Sequence, residues 1–261
     1  MTTKSQPLDA VARLGQVATW LASPVLLLVL WWWLTERELV PIQILVPPHE
    51  VFETARAMLA DGELEEAALA SLFRVLAGFA SGAACGVAFG TLVAVSPRLD
   101  RYAGPLFYAF AQMPAVAWAP IAILLLGIGE EFKVAVIGLA VFVPVTIGTQ
   151  EAIRGIPQRY LEVAAALALP AGLRFRRVLL PATLPRIVGG LRIGLSKGWM
   201  VLVFAELFCA NVGLGHLMDV GRTQFQMDLV LTAVLVTGGL GFAMDRMLLR
   251  FERFGSGRAA A

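Results

Sequence analysis

Few side chains in this sequence could carry bond-making chemistry, and their spacing argues against it. His49 and His216 are far apart, each without a third ligand candidate beside it, so no metal site is expected. Cys85 and Cys209 both fall inside strongly apolar stretches, which suits neither a structural disulfide nor a metal pair. No G-x-x-x-x-G-K-[ST] run is present to cradle ATP phosphates, and no nucleophile stands at a useful spacing from a base. The chain therefore reads as a non-enzyme that binds no cofactor itself. The residues that stand out are charges in unusual places. Lys197 and Glu206 sit in one apolar stretch, and the run "YLEVAAALALPAGLRFRRVLLPATLPRIVGGLR", Tyr160 to Arg192, carries arginines and prolines between two apolar stretches.

The elements that hold these residues follow from composition. With 58% apolar residues, 15% charged and a mean hydropathy of +0.76, the chain is greasier than a soluble domain of 261 residues. Its apolar runs have the ~17–25-residue length that crosses a hydrocarbon core of ~30 Å. Six spans are predicted: Trp20–Leu34, Leu72–Val95, Pro105–Leu126, Phe132–Thr149, Ile187–Cys209 and Leu229–Leu249. The first lacks a small-residue cleavage site, and Trp31 to Trp33 suit an interfacial belt, so it reads as a retained helix rather than a signal peptide. The expected fold is all-α: a polytopic membrane bundle of about six helices with a cytoplasmic two-helix loop. It divides into an N-terminal segment with the first span and an outer connection (1–69), a core (70–254) and a flexible tail (255–261). The net charge of +2, with no basic patch interleaved with exposed aromatics, argues against a nucleic-acid partner.

Of the 21 Lys and Arg, Arg74 and Lys197 fall within spans, and only Arg37, Arg56, Lys133 and Arg222 fall outside if the N-terminus is cytoplasmic. The rest, from Lys4 and Arg13 to Arg258, face inward. That bias puts both termini and the Tyr160–Arg192 run in the cytoplasm. Gly78, Gly82, Gly86 and Gly90 recur every fourth residue in the second span, as do Gly190, Gly194 and Gly198 in the fifth. Each set lines one helix face and invites close helix packing. Met113-Pro114, Ala119-Pro120 and Val143-Pro144 break the third and fourth spans, which is tolerable only against protein or a wet cavity. Met113, Pro114, Trp118, Lys197, Trp199 and Glu206 are the candidate lining of a pathway through the bundle.

Within the inner loop, Tyr160–Leu169 is good helix sequence stopped by Pro170 and Gly172, and Leu173–Leu180 reads as a second short helix closed by Pro181 and Pro185. Such a basic, shallow element suits the grip of another protein. The loop resembles that of permease subunits of bacterial ATP-binding-cassette importers, whose pattern is Glu-Ala-Ala, a Gly six residues after the Glu, and later Leu-Pro. Glu162, Val163-Ala164 and Leu180-Pro181 match it. "ILVPPHEVF", "ASLFRVLAGFASGAACGVAFG", "LLLGIGEEFKV", "WMVLVFAELFCANVGLGHLM" and "AMDRMLLRFERF" are similar to successive segments of the nitrate, sulfonate and taurine branch, over about Leu45 to Phe254.

The resemblance implies a type I importer permease in the bacterial inner membrane, paired with a second copy. Two cytoplasmic ATPase subunits, which carry ATP and Mg, would grip the loop at Glu162, Ala164, Ala168, Gly172, Arg177, Leu180 and Pro181. A periplasmic binding protein would deliver a small, anionic solute. The family Gly is replaced by Ala168, where a left-handed residue is wanted and Ala costs ~1–2 kcal/mol, so Gly172 is expected to take over the turn. Glu162 is expected near the start of its helix, accepting backbone N–H bonds there. Lys197 needs a partner from elsewhere, since Glu206 is half a turn out of phase with it. The rival reading is a transporter driven by an ion gradient, which would place ionisable groups near mid-bilayer.

Overall fold

The computed structural model describes the backbone of residues 8–257 and the side-chain surroundings of 22–250, with 161 and 171 excepted. Lys4, Arg258 and residues 258–261 of the expected tail lie outside the described residues, as does the Arg13 side chain. The described chain is helical, with no strand: α1 Leu8–Glu36, α2 Pro48–Ala60, α3 Glu63–Val95, α4 Pro97–Ala111, α5 Ala119–Leu126, α6 Glu130–Arg154, α7 Gln158–Ala166, α8 Ala171–Arg174, α9 Leu180–Cys209, α10 Leu214–Thr223 and α11 Met227–Gly257. The boundary expected at 255 falls inside α11.

Four stretches are long and apolar enough to cross a membrane: Glu63–Val95, Glu130–Arg154, Gly172–Cys209 and Met227–Arg250. A shorter apolar stretch, Ala22–Glu36, accounts for the first expected span, and its Trp31 indole donates to the Val46 carbonyl at 3.0 Å.

The third expected span, Pro105–Leu126, is not one helix. Pro97–Ala111 and Ala115–Leu126 meet at 96°. Proline chemistry explains the break: Pro114 is extended at φ −59°, ψ 133°, and Pro120 opens α5, the first turn of a helix being where a missing N–H costs nothing. A 3₁₀ turn, Ala115–Trp118, joins the two limbs.

The core is α6 wedged between α3 and α9. Lipid supplies no hydrophobic drive between helices, so contact must come from close backbone approach. A Cβ on Gly82 would overlap the Gly138 carbonyl oxygen, and one on Gly90 would lie 2.7 Å from the Thr146 carbonyl oxygen. Toward α9, Cβ atoms at Gly194 and Gly198 would lie 3.0 and 2.9 Å from the Val145 and Val141 methyls, and one on Gly190 3.2 Å from the Gly148 Cα. Both predicted glycine faces are thus helix contacts, and α6 answers them with Gly138 and Gly148. Val75, Phe132, Val136, Ile137 and Leu202 fill the space between.

Gly82→Ala forces α3 off α6, an overpacking strain of about 1–3 kcal/mol. A lower melting temperature of the purified protein is expected. Gly239→Ala, with nothing within 4 Å of the added methyl, should leave it in place.

Candidate functional site

In the loop between α6 and α9, α7 begins at Gln158 behind Pro157, which has no side-chain cap. Glu162 is the helix's fifth residue, past the free N–H groups of the first turn; it is exposed and caps nothing, contrary to expectation. Ala164 is buried, whereas Val163, Leu167 and Ala168 are exposed.

The helix ends in a Schellman motif. The Leu169 N–H donates to the Ala164 carbonyl at 3.1 Å and the Ala168 N–H to that of Ala165 at 2.9 Å, with Ala168 left-handed at φ 46°. Gly172 does not take over that turn: it sits within α8 with no positive φ. Hydrogen bonding fixes the turn at the residue two beyond the last helical one, and that residue is Ala168 whatever glycine lies further on.

The second limb also departs from expectation. Pro181 and Pro185 do not close a short helix, because α8 runs through a π turn, Phe175–Leu179, straight into α9. The wider turn passes the Leu180 N–H to the Phe175 carbonyl, just ahead of the donor that Pro181 lacks. Arg177 and Leu180 are exposed on this limb and Pro181 is half-buried.

Around α9 the candidate pathway residues separate. With the glycine stripe as reference, Lys197, Ile193, Met200 and Phe204 fall ~60–120° to one flank, and Trp199 and Glu206 ~120–140° to the other. Met113, Pro114, Trp118 and Lys197 line one cavity of 340 Å³ with Phe110 and Met200. The Phe110 and Trp118 rings lie 5.1 Å apart. Lys197 is exposed and makes no hydrogen bond or ion pair with any described residue, so the expected partner is not found among them.

Trp199 instead packs toward Gly241 of α11. Glu206 is not a pathway residue: it is 1% exposed and committed to ion pairs at the far end of α9. A second, more open cavity of 520 Å³ shares Lys197 and Met200 with the first. It continues past Ile193 and Ser196 to Arg192, whose Nε and Nη2 donate to the two Asp245 carboxylate oxygens at 2.5 and 2.9 Å.

Sequence reasoning missed the clamp that holds Glu206. Arg74 Nη1 donates to Glu206 Oε1 at 2.6 Å and also to the Val212 carbonyl. Its Nε and Nη2 take both oxygens of Glu130, which also receives Lys133 Nζ at 2.6 Å. Lys133 is accordingly 3% exposed rather than loose in an outer connection. Ser71 donates to Glu206 and accepts the Leu214 N–H, while Glu206 accepts that of Gly215, so α10 is capped by side chains of α3 and α9. Gly213, at φ 144°, leaves no room for a Cβ beside Arg74 and Glu206. The available signal was two i, i+3 polar pairs, Ser71/Arg74 and Glu130/Lys133, at the ends of apolar helices.

Among the described residues, no three His, Cys, Asp or Glu side chains are placed to hold a metal ion. Lys197, Ser196 and Arg192 instead line an open trough along α9, and Arg74, Glu130 and Glu206 lock the far end of that helix. This is the build of a membrane transport component. The chain matches the family described as "binding-protein-dependent transport system inner membrane component" over residues 86–254, and it belongs to that family.

It is 33% identical over 210 residues to a probable ABC transporter permease of Brucella melitensis, covering 80% of this chain and 85% of that one. With the taurine transport system permease protein of Escherichia coli it shares 29% identity over 243 residues, 91% of this chain and 88% of the other. Among solved structures, a methionine ABC transporter captured in inward-facing conformations shares the fold, with a TM-score of 0.64 at 20% identity over 74% of this chain and 95% of that one.

Ala168→Gly relieves the left-handed strain, worth ~1–2 kcal/mol. Slower amide exchange over 158–169 is the expected result, and Gly172→Ala should not slow it by the same route.

Proposed function

We propose that this chain is the membrane-spanning half of an ATP-driven importer that passes a small oxyanion along the α9 trough by alternating access. The observation that carries the substrate charge is Lys197, a cation without a partner among the described residues, near the middle of a helix long and apolar enough to cross a membrane. A lysine at that depth costs about 2.5–3.5 kcal/mol on insertion scales and faces water or a partner rather than lipid. An anion ~4 Å away contributes up to ~4 kcal/mol at an effective dielectric of 20, before desolvation is subtracted. Membership of a binding-protein-dependent family supports a binding protein at the outer face and a separate ATPase at the inner one. The similarity to a taurine permease agrees with a sulfonate or similar oxyanion as cargo.

In this reading two copies pair, both termini are cytoplasmic, and the membrane is the bacterial inner membrane. The ATPase grips the loop of α7 and α8. Glu162, exposed and without a partner among the described residues, is free to meet it, and Arg177 on the second limb is exposed as well.

In proteoliposomes holding the complete transporter and its binding protein, Lys197→Ala should lower taurine or other small-oxyanion uptake at least about tenfold while the permease still co-purifies with its ATPase. Unchanged uptake kinetics would remove the anion pathway. Separately, Glu162→Lys should leave the permease in the membrane and weaken its hold on the ATPase; undiminished co-purification and transport would take the loop out of the coupling role.

A further inference from the structure

Resting on the reading of the trough as an anion path, we propose that Arg192 is a second oxyanion station and that Asp245 is a tethered counter-anion occupying it until cargo arrives. Arg192 lies about five residues, ~7.5 Å along the helix axis, from Lys197 and ~140° around it. The trough wraps the back of α9 between them, over Ile193, Met200 and Ser196. An ion travelling inward from Lys197 therefore meets the Arg192 fork next.

Asp245 presents two oxygens to two guanidinium nitrogens. A carboxylate or sulfonate offers the same face, so cargo can replace Asp245 bond for bond. The pair is also open: the side chains are 38% and 28% exposed, unlike the Arg74 and Glu206 pair at 6% and 0%. Open pairs contribute little, so exchanging one oxyanion for another there is cheap, whereas the closed pair is fixed. With Asp245 in place the fork is neutralised and only Lys197 attracts the anion, which keeps the ion from being held at both stations at once.

The test reads the trough directly, without needing the natural cargo. In the full permease with Cys85→Ala and Cys209→Ala, Ser196→Cys supplies a thiol on the trough wall, and its reaction rates with a sulfonate-bearing and a quaternary-ammonium methanethiosulfonate are compared. Asp245→Asn should raise the anionic-to-cationic rate ratio about tenfold. Methanesulfonate, against equal sodium chloride, should then protect the thiol better than in the parent. Adding Arg192→Lys keeps the charge and removes the fork, so the ratio should stay raised while protection is lost.

A ratio unmoved by Asp245→Asn in a permease that still melts normally would overturn the second station, as would methanesulfonate protection that lysine supports as well as arginine. If Lys197→Ala lowers the parent ratio in that case, the anion path itself stands and only the station falls. If Lys197→Ala does nothing either, both fall.

Discussion

The contact on which the rest of the molecule depends is backbone against backbone along α6. In a bilayer an apolar side chain gains nothing by leaving lipid for another helix, so cohesion comes from dispersion between surfaces that approach closely. Gly82 against Gly138 and Gly190 against Gly148 permit that approach on two adjacent faces of one helix, ~80° apart around its axis. The consequence reaches the site. Once the stripe Gly190, Gly194, Gly198 faces α6, the helix period leaves no freedom over where the other residues of α9 point. Lys197 and Met200 are turned to the open flank, and Glu206 to the closed one.

The closed flank ends in a buried ionic clamp, and its chemistry differs from that of the trough. Arg74, Glu206 and Lys133 are almost fully removed from solvent; Arg74 and Glu206 are each held by several hydrogen bonds, and Lys133 by its pair with Glu130. Leaving one such charge unpaired costs about 3–5 kcal/mol, so the clamp works as a unit or fails as one. It binds α3, α6, α9 and the start of α10 together at that end. The elements outside it are less enclosed: 17% of the α11 span window is buried, against 56% for α6. Bistability, which alternating access requires, is therefore more readily placed in α11 and the bent α4–α5 pair than in the clamped core.

Much of this was legible in the sequence where one local rule decides the outcome. Hydropathy located the four long spans, and the spacing of four between glycines located the faces that meet α6. Pro114 was legible as a break, but the 96° between its limbs was not, because the angle is set by what α4 and α5 each pack against. Arg74 and Glu206 stand 132 residues apart, and no periodicity connects them. The loop failed in a more instructive way. Glycine was assumed to go where a left-handed residue is needed, yet α1, α7 and α10 end with Glu38, Ala168 and Phe225 at positive φ. At all three the hydrogen bonds of the helix end fix the conformation, and the side chain tolerates it at a cost of ~1–2 kcal/mol.

The continuity of α8 with α9 gives the loop its mechanical meaning. Gly172–Cys209 is one helical rod of 38 residues, ~57 Å at 1.5 Å per residue. Its loop end carries Arg176 and Arg177, its middle carries Arg192, Ser196 and Lys197, and its far end carries Glu206. Two short helices closed by prolines would have bent under load at the prolines. Here the wider π turn absorbs the missing donor without breaking the rod, so the loop is continuous with the helix that lines the trough. With its far end clamped by Arg74 and Ser71, a rod pushed from the loop cannot simply slide. It must pivot about the clamp, and the residues displaced most on such a pivot are those nearest the loop. Arg192 stands further from that pivot than Lys197 does, and Asp245, which it grips, stands on the less enclosed α11.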